Sequence, residues 1–224
     1  MRQNYAIVKR AYNALGKKDI RLTQSNLFLI RPINPNSTTY DFPVTENEVV
    51  GLLPDEIRLN INDEFIATHV GIYLRGSLTG GGQTNPVLHT YAPVQQNQDF
   101  IKSSALYDGF MKVAVNNITF VDKWGVRKHE NRPVANQWNN RIAVGLNGST
   151  EAPARFSEDG VYEVSPMVTL SGAKKNQIQI ILPKAISTST SSWIDNQGNT
   201  VTMNIDSIAI NFFGYLGQNG AKFQ

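Results

Sequence analysis

Short apolar runs, interrupted every few residues by proline, glycine or asparagine, dominate this chain of 224 residues. Residues 110–121 and 177–182 alternate between apolar and polar side chains, and residues 207–216 form a longer, largely apolar run. A period of two is typical of strands. About ten to twelve short strands are predicted in this way. Strands do not alternate with long helices, so the pattern favours an all-β sandwich or barrel over an α/β fold.

Four turns between strands are predicted from local signals. Asn62-Asp63 separates residues 57–61 from a strand that begins at Phe65. Two asparagines at 116 and 117 interrupt the run 110–121 as a bulge or turn. Gly172 indicates a hairpin turn, and residues 195–199 form the Gly-containing loop of a further hairpin.

The first 21 residues, called the leader below, differ in charge from the rest of the chain. They hold six basic residues and one acidic residue, a net charge of +5, whereas the remaining 15 basic and 17 acidic residues net −2. Such an asymmetry usually indicates contact with a polyanion, either nucleic acid or an anionic membrane surface. On a helix, one face of the leader is apolar and the opposite face is basic. The apolar face holds Tyr5, Val8, Ala11, Tyr12 and Leu15.

Two interpretations of this amphipathic helix remain open. In the first, the apolar face packs on the protein's own domain and the lysines are solvated. In the second, the helix is an interfacial arm whose apolar side chains enter a headgroup boundary while its cations meet phosphates. No stretch reaches the roughly 18–20 apolar residues of a membrane span, so membrane contact is expected to be peripheral. The candidate membrane- or nucleic-acid-facing residues are Arg2, Lys9, Arg10, Lys17, Lys18 and Arg21, with Val8, Tyr12 and Leu15.

Amides replace charges in the composition. Charged residues make up 17% of the chain, below the usual quarter, while there are 23 Asn and 12 Gln residues. Amides hydrogen-bond without the desolvation cost of a charge, which suits surfaces that a neighbouring subunit will cover. A turn-rich β protein would also be rich in Asn. The absence of cysteine excludes disulfides and thiolate chemistry.

Chemical motifs are few. His69 lies in an apolar strand and is predicted to be a core or subunit-contact residue, whereas His129 lies in a charged segment and is given no role. Ser171 and Lys174 match the S-x-x-K pattern of serine acyl enzymes, but that chemistry needs a helix and strands are predicted here. Residues 80–82 are three glycines without the Lys-Ser/Thr of a phosphate loop. No catalytic residue, metal ligand, cofactor or small-molecule substrate is predicted.

The domain division predicted from these patterns has four parts. Residues 1–21 are the basic arm, 22–121 a first β-barrel, 122–140 a polar connection and 141–224 a second β-barrel. Two barrels of short strands fit in this length only with lean loops.

Three segments resemble the major capsid proteins of tailless, icosahedral, lipid-containing bacteriophages, in particular the group that includes the Flavobacterium-infecting lipid-containing phage. They are MRQNYAIVKRAYNALGKKDIR, VSPMVTLSGAKKNQIQIILP and IDSIAINFFGYLGQNGAKF. The resemblance implies a double jelly roll, trimers with pseudo-hexagonal outlines, and a short N-terminal helix that points inward to the internal membrane. For a chain this short, a single jelly roll with long loops is the alternative.

The predicted function is therefore that of a major capsid protein in the virion shell, made in the host cytoplasm and not an enzyme. Its partners would be its own copies as homotrimers and a higher lattice, other capsid or vertex proteins, and an anionic lipid surface. A variant of this hypothesis assigns the leader to the genome, so nucleic acid is the alternative polyanion. A different hypothesis is a carbohydrate-binding β-sandwich or phage fibre (receptor-binding) module, in which Trp124, Trp138 and Trp193 stack on sugar rings.

Overall fold

Two antiparallel sheets make up the described part of the chain, which confirms the predicted all-β class. In a computed structural model, the structure describes residues 22–46, 55–89, 105–130, 160–194 and 197–218, together with Lys9, Asn13 and Ser103. The strands are β1 (Leu22–Pro32), β2 (Thr39–Phe42), β3 (Glu64–Gly80), β4 (Gln83–His89), β5 (Phe110–Val115), β6 (Ile118–Gly125), β7 (Val161–Ser171), β8 (Asn176–Ile181), β9 (Ser189–Ile194) and β10 (Thr200–Gly217). Short 3₁₀ helices lie at Ala105–Asp108 and Val126–His129.

The first sheet is organised around two long central strands, β3 with 17 residues and β10 with 18. They pair from Thr202 opposite Thr79 to Gly217 opposite Glu64. Each is flanked on its outer edge by two shorter strands placed end to end. The sheet therefore has the order β1-β10-β3-β7 at one end and β9-β10-β3-β4 at the other.

The second sheet has the order β2-β8-β5-β6 and packs face to face on the first. One hydrophobic core joins them, because buried side chains of both sheets belong to the same cluster. Phe65 and Phe212 come from the first sheet, and Phe42, Met111 and Ile180 from the second; all are at most 2% exposed. The alternation that predicted strands from sequence is visible in β8, where every second residue is buried.

Pairing between the strands is nested along the chain. β1 pairs with β10, β2 with β8, β3 with β7, and β5 with β6. Strands of 22–121 therefore share both sheets with strands of 141–224, and the described strands form one sandwich instead of two side-by-side barrels. The physical reason is that strands of the second half lie between strands of the first in both sheets: β10 lies between β1 and β3, and β8 lies between β2 and β5. Residues 122–125, assigned to the connection, continue β6.

The predicted turns are confirmed in the structure. Asn116 and Asn117 join β5 to β6 with φ values of 49° and 64°, the left-handed conformation that a two-residue hairpin turn requires. A hairpin that was not predicted joins β3 to β4, where Gly81 and Gly82 have φ values of 58° and 79°. Gly172 lies in the turn between β7 and β8. The predicted hairpin at the end of the chain is formed by β9 and β10, with Ile194 opposite Thr200.

Of the leader, the structure describes Lys9 and Asn13, both exposed and in helical backbone. Its other residues lie outside the described part of the chain. The predicted N-terminal helix therefore stays a prediction.

Gly214 is required by the close contact of the two central strands. The β10–β3 ladder shifts register between Phe213 and Gly214, and a Cβ atom at Gly214 would overlap the backbone carbonyl of Ile66. We expect Gly214→Ala to lower the free energy of unfolding by about 2–3 kcal/mol, because the strands must separate or shift. Gly125→Ala is the matched control, since its Cβ would meet no atom within 4 Å. Urea denaturation of both variants measures the difference in the free energy of unfolding. Equal stability of the two variants would contradict the overlap expected between a Cβ atom at Gly214 and the Ile66 carbonyl.

Candidate interaction surfaces

The far end of the first sheet presents a polar face to solvent. We call this end the extension: residues 74–80 of β3, all of β4 and β9, and residues 200–205 of β10. One row of directly opposed residues crosses its four strands, namely Ser192, Thr202, Thr79 and Thr84. Within this row, Thr79 Oγ1 lies 3.0 Å from Thr84 Oγ1, and Ser192 Oγ lies 2.9 Å from Thr202 Oγ1.

A second row runs parallel to the first on the same face. It consists of Thr190, Asn204, Ser77 and Pro86. The alternate residues point the other way: Met203 and Ile205 are buried in the core and Leu78 packs against it. The extension is therefore anchored by one apolar face and exposes hydroxyl and amide groups on the other, which suits hydrogen-bonded contact with a partner surface.

At the opposite end, the outer face of the first sheet is more apolar. Ile66 is fully buried there, packed with Leu22, Met167 and Tyr215 outside the main core. Phe213 is 36% exposed and lies opposite His69 on β3. His69 is half-buried on this outer face, with Nδ1 3.0 Å from Thr68 Oγ1. His69 is therefore not part of the main core, and its alternative role as a subunit contact stays a prediction.

An ion-paired segment covers the edge of the first sheet beside β1. Phe28 exchanges two backbone hydrogen bonds with Ile57, of 2.9 and 2.8 Å. Next to it, the Glu56 carboxylate accepts hydrogen bonds from the Ile30 backbone N–H and from the Arg58 guanidinium. The Glu56 and Arg58 side chains are each 2% exposed. Breaking one partner of such a buried pair would leave an uncompensated charge, so the pair holds the segment in place.

His129 is the buried centre of an aromatic and basic cluster, which corrects the sequence interpretation that gave it no role. Its ring is fully buried. Trp124 Nε1 donates to His129 Nε2 at 2.9 Å, and His129 Nδ1 lies 2.7 Å from the Gly160 carbonyl oxygen. The indole N–H can only donate and the carbonyl can only accept, so the ring is neutral with its proton on Nδ1. Tyr162 packs edge-on against the ring, with centroids 5.1 Å apart.

The Lys128 ammonium lies over the other aromatic ring of this cluster. Its Nζ is 3.0 Å from the centroid of Trp124 and 5.8 Å from that of Tyr162. Desolvation lowers the pKa of Lys128. Desolvation also lowers the pKa of His129 to about 4, with the nearby Lys128 charge acting in the same direction and the Gly160 hydrogen bond opposing it. The cluster fastens the end of β6 to the start of β7, which are far apart in sequence.

The S-x-x-K pattern is not arranged for acyl transfer. Ser171 is buried at the end of β7, and Lys174 lies in the following turn, where its backbone N–H donates to the Ser171 carbonyl oxygen at 3.1 Å. A turn between two strands does not place the lysine one helical turn from the serine on the same face. Within the described ranges, no group of three or more His, Asp or Glu residues is placed to hold a metal ion.

Most residues of the predicted leader site lie outside the described part of the chain. Lys9 is the described member of the set, and it is exposed. The remaining residues of the set lie outside the described residues: Arg2, Val8, Arg10, Tyr12, Leu15, Lys17, Lys18 and Arg21.

Comparisons with known proteins give no relative. No family model, curated protein or solved structure matches the chain. Among the helical residues that the structure describes, none belongs to a helix long and apolar enough to span a bilayer.

The sequence interpretation missed both the His129 cluster and the extension. A Trp followed four and five residues later by Lys and His was a usable local signal at Trp124, Lys128 and His129. The Gly160 partner, 31 residues away, had none. For the extension, the Ser/Thr-rich run 187–192 signalled polar exposure, but only strand pairing brings it beside Thr202 and Thr79.

The neutral state of His129 predicts a pH dependence of stability. Because its pKa is lower in the folded protein than the ordinary 6.5, its contribution is complete above about pH 6.5 and is lost as the pH falls toward 4. The loss is at most about 3 kcal/mol in the free energy of unfolding. We expect His129→Gln, which retains a donor and an acceptor but does not titrate, to flatten the dependence between pH 6.5 and 4.

Urea denaturation at steps of pH measures this dependence for the wild type and for the variant. Carboxylates contribute equally to both proteins, so the difference between the two curves isolates His129. His129→Leu serves as a second variant: it leaves the Trp124 N–H without its acceptor and should cost about 1–3 kcal/mol at pH 7. Parallel curves for wild type and His129→Gln would contradict the neutral-ring assignment.

Proposed function

We propose that this chain is a major capsid protein: a structural subunit that associates with its own copies into an icosahedral virion shell. The observation that carries the proposal is the nested pairing of β1 with β10, β2 with β8, β3 with β7 and β5 with β6. Nested antiparallel pairs rolled into two facing sheets are the arrangement of a jelly roll, which recurs in viral capsids and lectins. The single jelly roll with long loops takes the place of the double one.

The exposed surfaces support assembly over ligand binding in a pocket. Capsid proteins and lectins share this fold, so the fold alone does not decide the function. The exposed surfaces are the features that can distinguish the two. The extension offers rows of hydroxyl groups that stay hydrated in a free subunit and can hydrogen-bond to a neighbour in a shell. Phe213 and Ile194 add exposed apolar area, at 36% and 72% exposure, on strands of the same sheet.

The leader supplies the second contact of the proposed subunit, an internal membrane beneath the shell. Its net charge of +5 attracts an anionic surface, at about 1 kcal/mol for each basic residue near the bilayer. One copy would bind weakly and reversibly. Many copies fixed in one lattice act together, so avidity makes the attachment firm. Trimers, a higher lattice and contacts with other capsid or vertex proteins belong to the same proposal.

The carbohydrate-binding alternative loses one of its three aromatic platforms. The indole N–H of Trp124 is bonded to His129 and its ring lies under the Lys128 ammonium, so neither is free for a sugar ring. The side chains of Trp138 and Trp193 lie outside the described residues. The capsid proposal therefore has the better support, with the fibre or receptor-binding module as the second candidate.

Charge removal in the leader tests the membrane contact. We expect replacement of Lys9, Arg10 and Lys17 by Gln to weaken binding to phosphatidylserine-containing vesicles about 100-fold, because each basic residue near the surface contributes about 1 kcal/mol. Replacing Lys112, Lys123 and Lys174 of the body by Gln removes the same charge and should leave binding unchanged. Vesicle co-sedimentation measures both variants. Binding to duplex DNA with steep salt dependence, and none to vesicles, would instead assign the leader to the genome.

Self-association is tested on the full chain. Sedimentation velocity should show trimers or larger assemblies, and electron microscopy should show shells or shell fragments. A strict monomer at high concentration, at every salt concentration tried, would overturn the capsid proposal.

A further inference from the structure

Outer strands of a sheet expose unpaired backbone N–H and C=O groups, and proteins usually obstruct them against pairing with other chains. Two edges of the first sheet are obstructed by contacts or proline. At β1, both backbone groups of Phe28 are bonded to Ile57. At β4, Pro86 interrupts the seven-residue strand and has no N–H to offer.

The other described edges are obstructed as well. β7 contains Pro166 and the charged Glu163, and its ladder with β3 is irregular. β2 has four residues. β6 carries Asp122 and Lys123, and Lys123 has a φ of 50°, which distorts the strand at that point.

β9 differs from all of these edges. Its six residues, STSSWI, contain no charge and no proline. Within the described part of the chain, β9 pairs with β10 on one side and with no strand on the other. Thr190, Ser192 and Ile194 are exposed, Ile194 at 72%. In an antiparallel ladder every second residue of such a strand points its N–H and C=O outward, so β9 is a ready template for a further strand.

We propose that β9 joins two copies of this chain, by antiparallel pairing of β9 with the β9 strand of a second copy about a twofold axis. This inference rests on the proposed self-association and names the edge that carries it. The two extensions would then form one continuous sheet in the order β4-β3-β10-β9-β9-β10-β3-β4. Each backbone bond is made twice, since a twofold contact uses the same surface on both copies.

The chemistry of the strand favours a second copy as the occupant. Opposed side chains of an antiparallel ladder share one face of the sheet, so a twofold pairing of β9 with itself must be centred on a residue. Centred on Ser192, it sets Ser192 opposite Ser192 of the second copy and Thr190 opposite Ile194. No like charges meet, and Ser and Thr pairs across strands are favourable neighbours. The row of Thr84, Thr79, Thr202 and Ser192 would continue into the neighbouring molecule with the same polarity on both sides of the junction.

Disulfide trapping tests the edge directly, because the chain has no cysteine and an introduced one is unique. Opposed residues in an antiparallel ladder have Cα atoms about 4.5–5.5 Å apart, within disulfide range. Under mild oxidation we expect Ser192→Cys to form covalent dimers, because residue 192 opposes itself across the twofold axis. Thr190→Cys, exposed on the same face but opposite Ile194, should form few. Thr84→Cys is the matched control, because Thr84 is an exposed hydroxyl residue of the same row on the edge obstructed by Pro86.

Charge insertion provides a test without covalent bonds. Thr190→Lys combined with Ser192→Lys should weaken self-association at least 10-fold in sedimentation velocity, because both copies bring the same charges to one junction. Thr84→Lys should leave it unchanged. If the wild type assembles but trapping is no stronger on β9 than at Thr84, or the lysine pair assembles normally, the β9 inference fails while the proposed function stands. A wild-type chain that remains monomeric overturns both.

Discussion

The pairing of β3 with β10 is the interaction on which the rest of the structure depends. These strands run side by side through the first sheet, and every other strand of that sheet pairs with one of them. Their inward side chains, such as Phe65, Ile72 and Phe212, form much of the apolar face on which the second sheet packs. Because β3 and β10 are distant in sequence, bringing them together costs conformational entropy. The apolar side chains buried along the long ladder must compensate for this cost.

Local structure could be predicted from this sequence because its signals are local. The asparagines at 116 and 117 occupy a turn that needs positive φ, which their residue type indicated. Strand partners are a non-local property, and alternation in β8 is compatible with any neighbouring strand. The division into barrels at 22–121 and 141–224 assumed that neighbours in sequence pair. The nested pairs show that the hydrophobic pattern fixes which face of a strand is buried but leaves its partner open.

The same distinction separates the site properties that the sequence shows from those that depend on the fold. The charge of the leader is a property of composition and is visible without a fold. His129 stands between a lysine and a glutamate, a context that predicts exposure, yet its ring is buried because Trp124 and Gly160 satisfy both nitrogens. A buried polar ring is stable only when each nitrogen has a partner, and one of these partners lies 31 residues away. The identity of the residue indicated its chemistry, but only tertiary contacts decided its environment.

As the proposed subunit of a shell, the chain would have to remain soluble alone and yet adhere to its copies, and the surfaces of the extension would reconcile these demands. Apolar edges would pair during folding and aggregate, since strands of slowly formed sheets are exposed for longer. Hydroxyl groups stay hydrated in the free chain, so each contact gains little net free energy when water is displaced. Weak contacts repeated by symmetry allow a misplaced subunit to dissociate while the complete lattice persists. Under the β9 proposal, the neutral Ser and Thr residues of β9, together with the obstruction of other edges by Pro86, Pro166 and Lys123, would direct this reversible association to one edge.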